Sequence, residues 1–177
     1  MRRWARLLGP VLAGALALTA CAGPATRNDA ADPAPADQAA STDSTVDLTF
    51  TVATLDGGRF DGQSLAGKPA LLWFWAPWCP TCVAQAPQVG AAARDYPGKI
   101  AVVGVAGLDS TAAMRDFVAL PQVDHVVHLA DEQGVVWKRF GVTAQSTYVL
   151  LDAAGQVVYR GYLDGEELSR RLSALAG

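Results

Sequence analysis

The chain contains little cysteine, since its 177 residues include only Cys21, Cys79 and Cys82. Only one Cys-x-x-Cys pair can form, so a zinc site built from four cysteines is excluded. There is also no Cys-x-x-Cys-His sequence, so the chain is not itself a c-type cytochrome. An excess of positive charge is missing as well, because 14 Lys and Arg face 17 Asp and Glu, a net charge of −3. Nucleic acid is therefore not an expected partner.

The N-terminus lacks a hydrophobic run long enough for a stable membrane-spanning helix. Three arginines lie within the first six positions, and the apolar run from Leu7 to Ala20 is interrupted by glycine and proline. This pattern is typical of a signal peptide, which we place at residues 1–20. Its last residues, Leu-Thr-Ala followed by Cys21, resemble the bacterial lipobox, in which the cysteine is lipidated. We expect Cys21 to carry a lipid anchor; the alternative is an ordinary signal peptide with Cys21 as an unpaired thiol.

Export would account for the odd number of cysteines. Disulfides persist outside the cytoplasm, and with Cys21 acylated the remaining two cysteines make one pair. Removal of residues 1–20 leaves 11 basic against 17 acidic residues, a net charge of −6. The expected location is extracytoplasmic, with the lipid anchor in the cell membrane.

The composition of the chain changes sharply after residue 45. Residues 22–45 contain no aromatic residue and no aliphatic residue larger than alanine, so they cannot bury a core. We therefore predict that residues 21–45 form a lipidated N-terminus and flexible tether. The remaining residues, 46–177, carry repeated apolar runs and number 132, the size of one globular domain.

Strands and helices alternate along residues 46–177. The run Ala70–Trp75 is continuously apolar, as expected of a strand buried on both faces. Asp56-Gly57-Gly58 predicts an N-terminal hairpin. The alternation indicates an α/β fold with a central mixed β-sheet flanked by helices. Strands are predicted at 48–55, near Phe60, and at 70–75, 100–106, 126–129, 147–151 and 157–162, and helices at 80–96, 110–120, 131–140 and 166–175.

The strongest chemical feature is the sequence Trp78-Cys79-Pro80-Thr81-Cys82. A buried strand that leads directly into a helix places Cys79 at the helix N-terminus, where unpaired N–H groups stabilise a thiolate. We predict Cys79 as the nucleophile and Cys82, one turn further, as the resolving cysteine. Pro80 suits the first helical position, and Thr81 can place a hydroxyl near the sulfurs. Trp78 can offer a flat surface to a substrate chain or shield the edge of the core.

The residues alone leave other roles open for the cysteine pair. Zinc could bind the pair together with His125 and His128, and Cu(I) could bind the two sulfurs and one of these histidines. Both histidines flank Val126-Val127 near a predicted strand, so surface or packing roles are expected for them. A purely structural disulfide fits poorly with a site at an exposed helix start. We expect neither a metal nor another cofactor.

The segment from Phe74 to Cys82, followed by Ala86-Pro87, is similar to the active site of thioredoxin-fold proteins. The similarity is greatest to the exported branch that includes TlpA, ResA and DsbE, especially the DsbE- and DsbF-like lipoproteins of actinobacteria. It extends over the N-terminal hairpin and residues 64–69 and 141–155, and so covers most of the domain. This resemblance implies a thioredoxin-like fold with an N-terminal β-hairpin extension, and a thiol–disulfide oxidoreductase whose redox disulfide joins the two cysteines.

Two positions depart from this family. A cis-proline usually precedes the strand that lies next to the cysteine pair, but Gln145-Ser146 stand there. A cis bond before a residue other than proline costs about 2.5–4 kcal/mol, so we expect a trans bond and an altered loop supporting the site. A buried acid usually lies six residues ahead of the first cysteine, and here that residue is Trp73. Without this proton acceptor, we favour an oxidant over an efficient reductase.

The resemblance thus implies a membrane-tethered enzyme that passes its disulfide to cysteine pairs of exported proteins and is reoxidised by a membrane redox partner. The alternatives are a reductase for apocytochrome c maturation and a Cu(I)-binding thioredoxin-like lipoprotein. A thiol peroxidase is disfavoured, because its Pro-x-x-x-Thr-x-x-Cys pattern would need a cysteine where Ala84 stands.

Overall fold

The computed structural model describes residues 45–119 and 122–177. The predicted signal peptide, Cys21 and the tether up to residue 44 lie outside the described residues, so their roles stay predictions. Within the described ranges, no helix combines the length and the hydrophobicity needed to cross a membrane.

A fully buried strand, β3 (Ala70–Trp75), lies at the centre of the main sheet, as its six consecutive apolar residues predict. It pairs in parallel with β4 (Ala101–Ala106) and antiparallel with β6 (Thr147–Leu151). Outside these neighbours lie β5 (Val127–Ala130), parallel to β4, and β7 (Val157–Gly161), antiparallel to β6. The strand order is β5-β4-β3-β6-β7, which confirms the predicted mixed sheet.

Alternate residues of β3 face opposite sides of the sheet and belong to two separate cores. Trp73 and Trp75 pack in one core with residues of three helices: α1 (Pro80–Asp95), α2 (Thr111–Val118) and α4 (Gly165–Leu175). Phe74 packs on the other side against the short helix α3 (Val135–Arg139). The sheet is therefore covered on both faces, as expected of a thioredoxin-like α/β fold.

Side chains at the helix starts account for where two of these helices begin. The Ser110 hydroxyl accepts a hydrogen bond from the Ala113 N–H, and the Asp164 carboxylate accepts one from the Glu167 N–H. These caps satisfy backbone donors that have no partner inside the helix. Helix α1 continues through Pro87, so this proline does not end it.

The N-terminal hairpin is present but its first strand is shorter than predicted. Strand β1 (Thr51–Ala53) pairs antiparallel with β2 (Arg59–Asp61), and a 3₁₀ turn follows at Gly62–Leu65. The predicted strand at 48–55 is wrong at its start, because the Phe50 N–H donates to the Leu48 carbonyl two residues earlier. Such a tight turn takes the backbone out of the extended ladder.

Helix α3 is also shorter than the predicted span of 131–140. The Asp131 carboxylate accepts hydrogen bonds from the N–H groups of Val135 (2.8 Å) and Trp137 (2.9 Å), so it caps the helix from outside. Gly134, with a φ of 65°, lies between Asp131 and the first residue of the helix. The end of the helix agrees with the prediction, because Gly141 follows it with a φ of 63°, in the left-handed region that favours glycine.

Candidate active site

The cysteine pair lies where β3 passes into α1. Cys79 is the residue that caps the helix, and its Sγ accepts a hydrogen bond from the Cys82 N–H at 3.1 Å. Pro80 occupies the start of the helix, as predicted. The two cysteines lie at disulfide distance, with their Cα atoms 5.2 Å apart. The helix N-terminus thus directs backbone N–H groups at the sulfur of Cys79, an arrangement that favours negative charge there.

Both cysteines are buried, although an exposed helix start was expected. Cys79 is 3% exposed and Cys82 is fully buried, so the expected exposure of the helix start does not extend to the sulfurs. The covering comes from the core, because both cysteines pack among the residues on the Trp73 side of the sheet. A substrate sulfur can therefore reach Cys79 more readily than Cys82.

The three other residues of the motif contribute unequally to the surroundings of the pair. Trp78 is 54% exposed, and its Nε1–H donates to the Leu108 carbonyl at 3.3 Å, so its ring is available at the surface. Thr81 is exposed, and its hydroxyl makes no hydrogen bond to either sulfur within the described residues. The hydroxyl that lies beside the pair belongs to Ser146 instead.

The loop before β6 brings Ser146 to the cysteines. Its Oγ lies 3.7 Å from the Sγ of Cys79. No peptide bond in the described residues is cis, so the Gln145–Ser146 bond is trans as expected. Ser146 has a φ of 60°, in the left-handed region that a serine rarely occupies. The altered loop that replaces the family's cis-proline therefore places a hydroxyl next to the predicted nucleophile.

Gln85 is a site residue that the sequence analysis missed. It is only 4% exposed, and its Oε1 accepts from the Trp73 Nε1–H at 2.8 Å. Its Nε2 donates to the Ser146 carbonyl at 3.2 Å. A signal was available, because Gln85 follows Cys82 by three residues and so shares a buried helix face. A neutral amide thus lies next to Trp73 and joins it to the loop before β6.

The two histidines are packed by hydrogen bonds of their own. His128 is 5% exposed; the Trp75 Nε1–H donates to its Nδ1 at 3.2 Å, and its Nε2 lies 3.1 Å from the Val123 carbonyl. Burial lowers the pKa of His128 to about 4. His125 Nε2 lies 3.0 Å from the Gly90 carbonyl. Across residues 45–119 and 122–177, no three His, Cys, Asp or Glu side chains cluster as metal ligands.

Comparison with known sequences gives one family match and several relatives. The family model described as Redoxin matches residues 29–175. The soluble secreted antigen MPT53 of Mycobacterium tuberculosis (strain H37Rv) is 40% identical over 132 residues, which cover 72% of this chain and 75% of MPT53. The thiol-disulfide oxidoreductase ResA of Bacillus anthracis is 26% identical over 124 residues, covering 70% of each chain.

Comparison with solved structures finds proteins of the same fold. The structure of MTB DsbF in mixed oxidised and reduced forms superimposes with a TM-score of 0.68 at 50% identity, covering 72% of this chain and 96% of DsbF. A secreted Mycobacterium tuberculosis disulfide oxidoreductase homologous to E. coli DsbE gives a TM-score of 0.66 at 40% identity, with coverages of 72% and 97%.

Proposed function

The chain belongs to the Redoxin family, among its DsbE/DsbF-like thiol–disulfide oxidoreductases, and from this we propose that it oxidises cysteine pairs of exported proteins. The exchange itself is the activity of this family. The direction of electron flow, the membrane anchor and the partners are our proposal. They are supported by the contacts around the cysteine pair and by the N-terminal sequence.

The proposed reaction has two exchange steps. A substrate thiolate attacks Cys79 Sγ, the Cys79–Cys82 bond breaks, and Cys82 leaves as a thiolate that takes up a proton. The second substrate thiol, after losing its proton, then attacks the substrate sulfur of the mixed disulfide and releases Cys79 as a thiolate. Two electrons pass from the substrate dithiol to the enzyme. A membrane redox partner would restore the enzyme's disulfide by the reverse exchange.

The environment of Cys79 supports the oxidising direction. In the reduced enzyme the helix N-terminus and the Ser146 hydroxyl would both stabilise the Cys79 thiolate. Stabilising the reduced form raises the reduction potential, which makes the disulfide a stronger oxidant. The observation that carries the proposal is the fully buried Trp73, bonded to the neutral Gln85 amide, at the position of the family's acid. No carboxylate stands there to take a proton from Cys82, a step that an efficient reductase needs.

The equilibrium reduction potential against glutathione tests the direction. We expect a value closer to the about −120 mV of the strong oxidant DsbA than to the about −270 mV of thioredoxin. Reduced, unfolded substrate should gain disulfides when mixed with the oxidised enzyme, and the Cys79→Ser and Cys82→Ser variants serve as controls. A potential near that of thioredoxin, without disulfide donation, would refute the oxidant proposal. Specific reduction of an apocytochrome Cys-x-x-Cys-His disulfide would then favour the reductase alternative.

We further propose that Cys21 anchors the domain outside the cytoplasmic membrane. The basic start, the short apolar run and the lipobox-like Leu-Thr-Ala-Cys support this location. Incorporation of labelled palmitate into the wild-type chain, and its loss in Cys21→Ser, tests the anchor. Release of the unlabelled wild-type protein into the medium would overturn it.

A further inference from the structure

Three contacts link Trp73, Gln85, Ser146 and Cys79 into one chain that runs from the buried core to the partly buried Ser146. The Trp73 indole donates to Gln85 Oε1 at 2.8 Å, and Gln85 Nε2 donates to the Ser146 carbonyl at 3.2 Å. The Ser146 hydroxyl then lies 3.7 Å from Cys79 Sγ. These contacts join strand β3, helix α1 and the loop before β6.

The geometry points to Gln85 as a positioning residue for thiol exchange, which holds the Ser146 main chain so that the serine hydroxyl stays at Cys79 Sγ. An indole N–H can only donate, so the Gln85 carboxamide must turn its oxygen towards Trp73. Its NH₂ group is then left for the Ser146 carbonyl, which can only accept. Trp73 itself is fully buried and stacked on Trp75, so it gives the carboxamide a rigid partner.

The backbone of Ser146 needs such a restraint. Its φ of 60° lies in a region that disfavours residues with a Cβ atom, so the loop would relax if it were free to do so. In the described residues, Gln85 is the side chain that donates to the Ser146 carbonyl. Loss of the Gln85 amide should therefore let the loop move and withdraw the hydroxyl from the sulfur.

This role rests on thiol exchange at Cys79 but not on its direction. In the reduced enzyme a hydroxyl hydrogen bond favours the thiolate over the thiol, whichever way electrons flow. A failure of the oxidant proposal would leave the role of Gln85 untouched. If Gln85 proves to have no positioning role, the oxidant proposal still stands, because the helix N-terminus alone can stabilise the Cys79 thiolate.

The test is a double-substitution cycle on the full-length reduced protein. Gln85→Met, Ser146→Ala and the combined variant are alkylated with iodoacetamide over a range of pH, and the modification is assigned to Cys79 by peptide mass spectrometry. We expect each single substitution to raise the Cys79 pKa by about one unit, a tenfold change in its ionisation constant. The combined variant should shift no further than either single one, because both remove the same hydroxyl contact.

Gln88→Met provides the matched control, because Gln88 is exposed on the same helix. It should leave the Cys79 pKa unchanged. An unchanged pKa in Gln85→Met, or shifts that add in the combined variant, would overturn the proposal.

A second variant covers the case in which Gln85→Met does not fold. Gln85→Asn keeps a neutral amide in the buried site but is one methylene shorter, so it cannot reach Trp73 and Ser146 together. Circular dichroism checks its fold, and the same rise of the Cys79 pKa is expected. A folded Gln85→Asn protein with wild-type reactivity would rule out the positioning role.

Discussion

The Ser146 Oγ lies 3.7 Å from the Cys79 Sγ, although the two residues are 67 positions apart in the chain. The register of the sheet brings them together. Phe74, near the end of β3, pairs with Thr147 at the start of the antiparallel strand β6. The residue before β6 must therefore lie beside the residues that follow β3. A hydroxyl is thus placed at the sulfur where relatives of this fold present a proline.

The strained backbone of Ser146 predicts that replacing this residue with glycine raises the stability of the fold and lowers the rate of thiol exchange. Ser146→Gly removes the penalty of the left-handed φ and should raise the free energy of unfolding by about 0.5–1 kcal/mol, after allowance for the entropy of glycine in the unfolded chain. The same change removes the hydroxyl and should slow thiol exchange. Urea denaturation of the oxidised protein measures the first effect, and the rate at which the oxidised enzyme forms a disulfide in a reduced peptide dithiol measures the second. Ser146→Ala keeps the Cβ atom, so an equal gain of stability in Ser146→Ala would contradict the explanation from φ.

The unequal burial of the two cysteines predicts different products from their serine variants. Cys82→Ser leaves the accessible nucleophile without its resolving partner, so it should accumulate mixed disulfides with substrate proteins. Of the active-site pair, Cys79→Ser leaves only the fully buried thiol of Cys82, through which it should form none. Non-reducing gels followed by reduction show the trapped species. Equal trapping by both variants would contradict the assignment of Cys79 as the attacked sulfur.

The exposed ring of Trp78 predicts an effect on protein substrates alone. Trp78→Ala should raise KM for a reduced protein substrate, because the flat contact surface is lost, while exchange with a small disulfide such as oxidised glutathione stays unchanged. The free energy of unfolding should change by no more than about 0.5 kcal/mol, as for most surface substitutions. Val135→Ala is the control, since Val135 is 56% exposed, close to the 54% of Trp78. A parallel loss with both substrates would instead place Trp78 in the chemical step.

Burial of His128 predicts a loss of stability in mild acid. In the unfolded chain this histidine binds a proton near its ordinary pKa of 6.5, whereas burial holds its pKa at about 4 in the folded protein. The unfolded state therefore binds more protons between these values, and the folded state loses stability as the pH falls from 6.5 to 4. The loss from this one group is on the order of 3 kcal/mol.

Urea denaturation at pH 7, 5.5 and 4 measures this effect in the wild type and in His128→Gln. The glutamine cannot titrate, so the difference between the two proteins isolates the histidine from the acidic residues that also titrate near pH 4. The two curves should converge as the pH falls. Parallel curves would show that His128 does not titrate with unfolding.

Much of the active site could be predicted from neighbouring residues. The apolar run 70–75, its end at Pro77 and the helix start at Pro80 are all local signals, and they lie within a few residues of both cysteines. The strand-to-helix junction and the role of Cys79 as helix cap follow from these signals. The extent of strand β1 and helix α3 did not follow, because the Phe50–Leu48 turn and the Asp131 cap override the local pattern.

The environment of His128 shows why other parts of the structure could not be predicted. Gly104 pairs with His128 across β4 and β5, and a Cβ atom on Gly104 would lie 2.6 Å from His128 Cε1 and 2.9 Å from Trp75 Nε1. The missing side chain at Gly104 leaves the space that the imidazole fills. No pattern within either strand reveals this match, since it depends on how the two strands are aligned.

Adjacent residues set the strand, the break and the helix, so the chain's local pattern is enough to predict two thiols at the N-terminus of a helix behind a buried strand. The surroundings of those thiols depend instead on contacts between distant parts of the chain. Gln85 and Ser146 are 61 positions apart, and the register between β3 and β6 brings them together beside Trp73. Hydrogen bonds between such distant residues depend on the packing of the sheet and helix α1. Trp73, hydrogen-bonded to the neutral Gln85 amide, stands where the family has its acid, and the Ser146 hydroxyl lies where the family has its cis-proline.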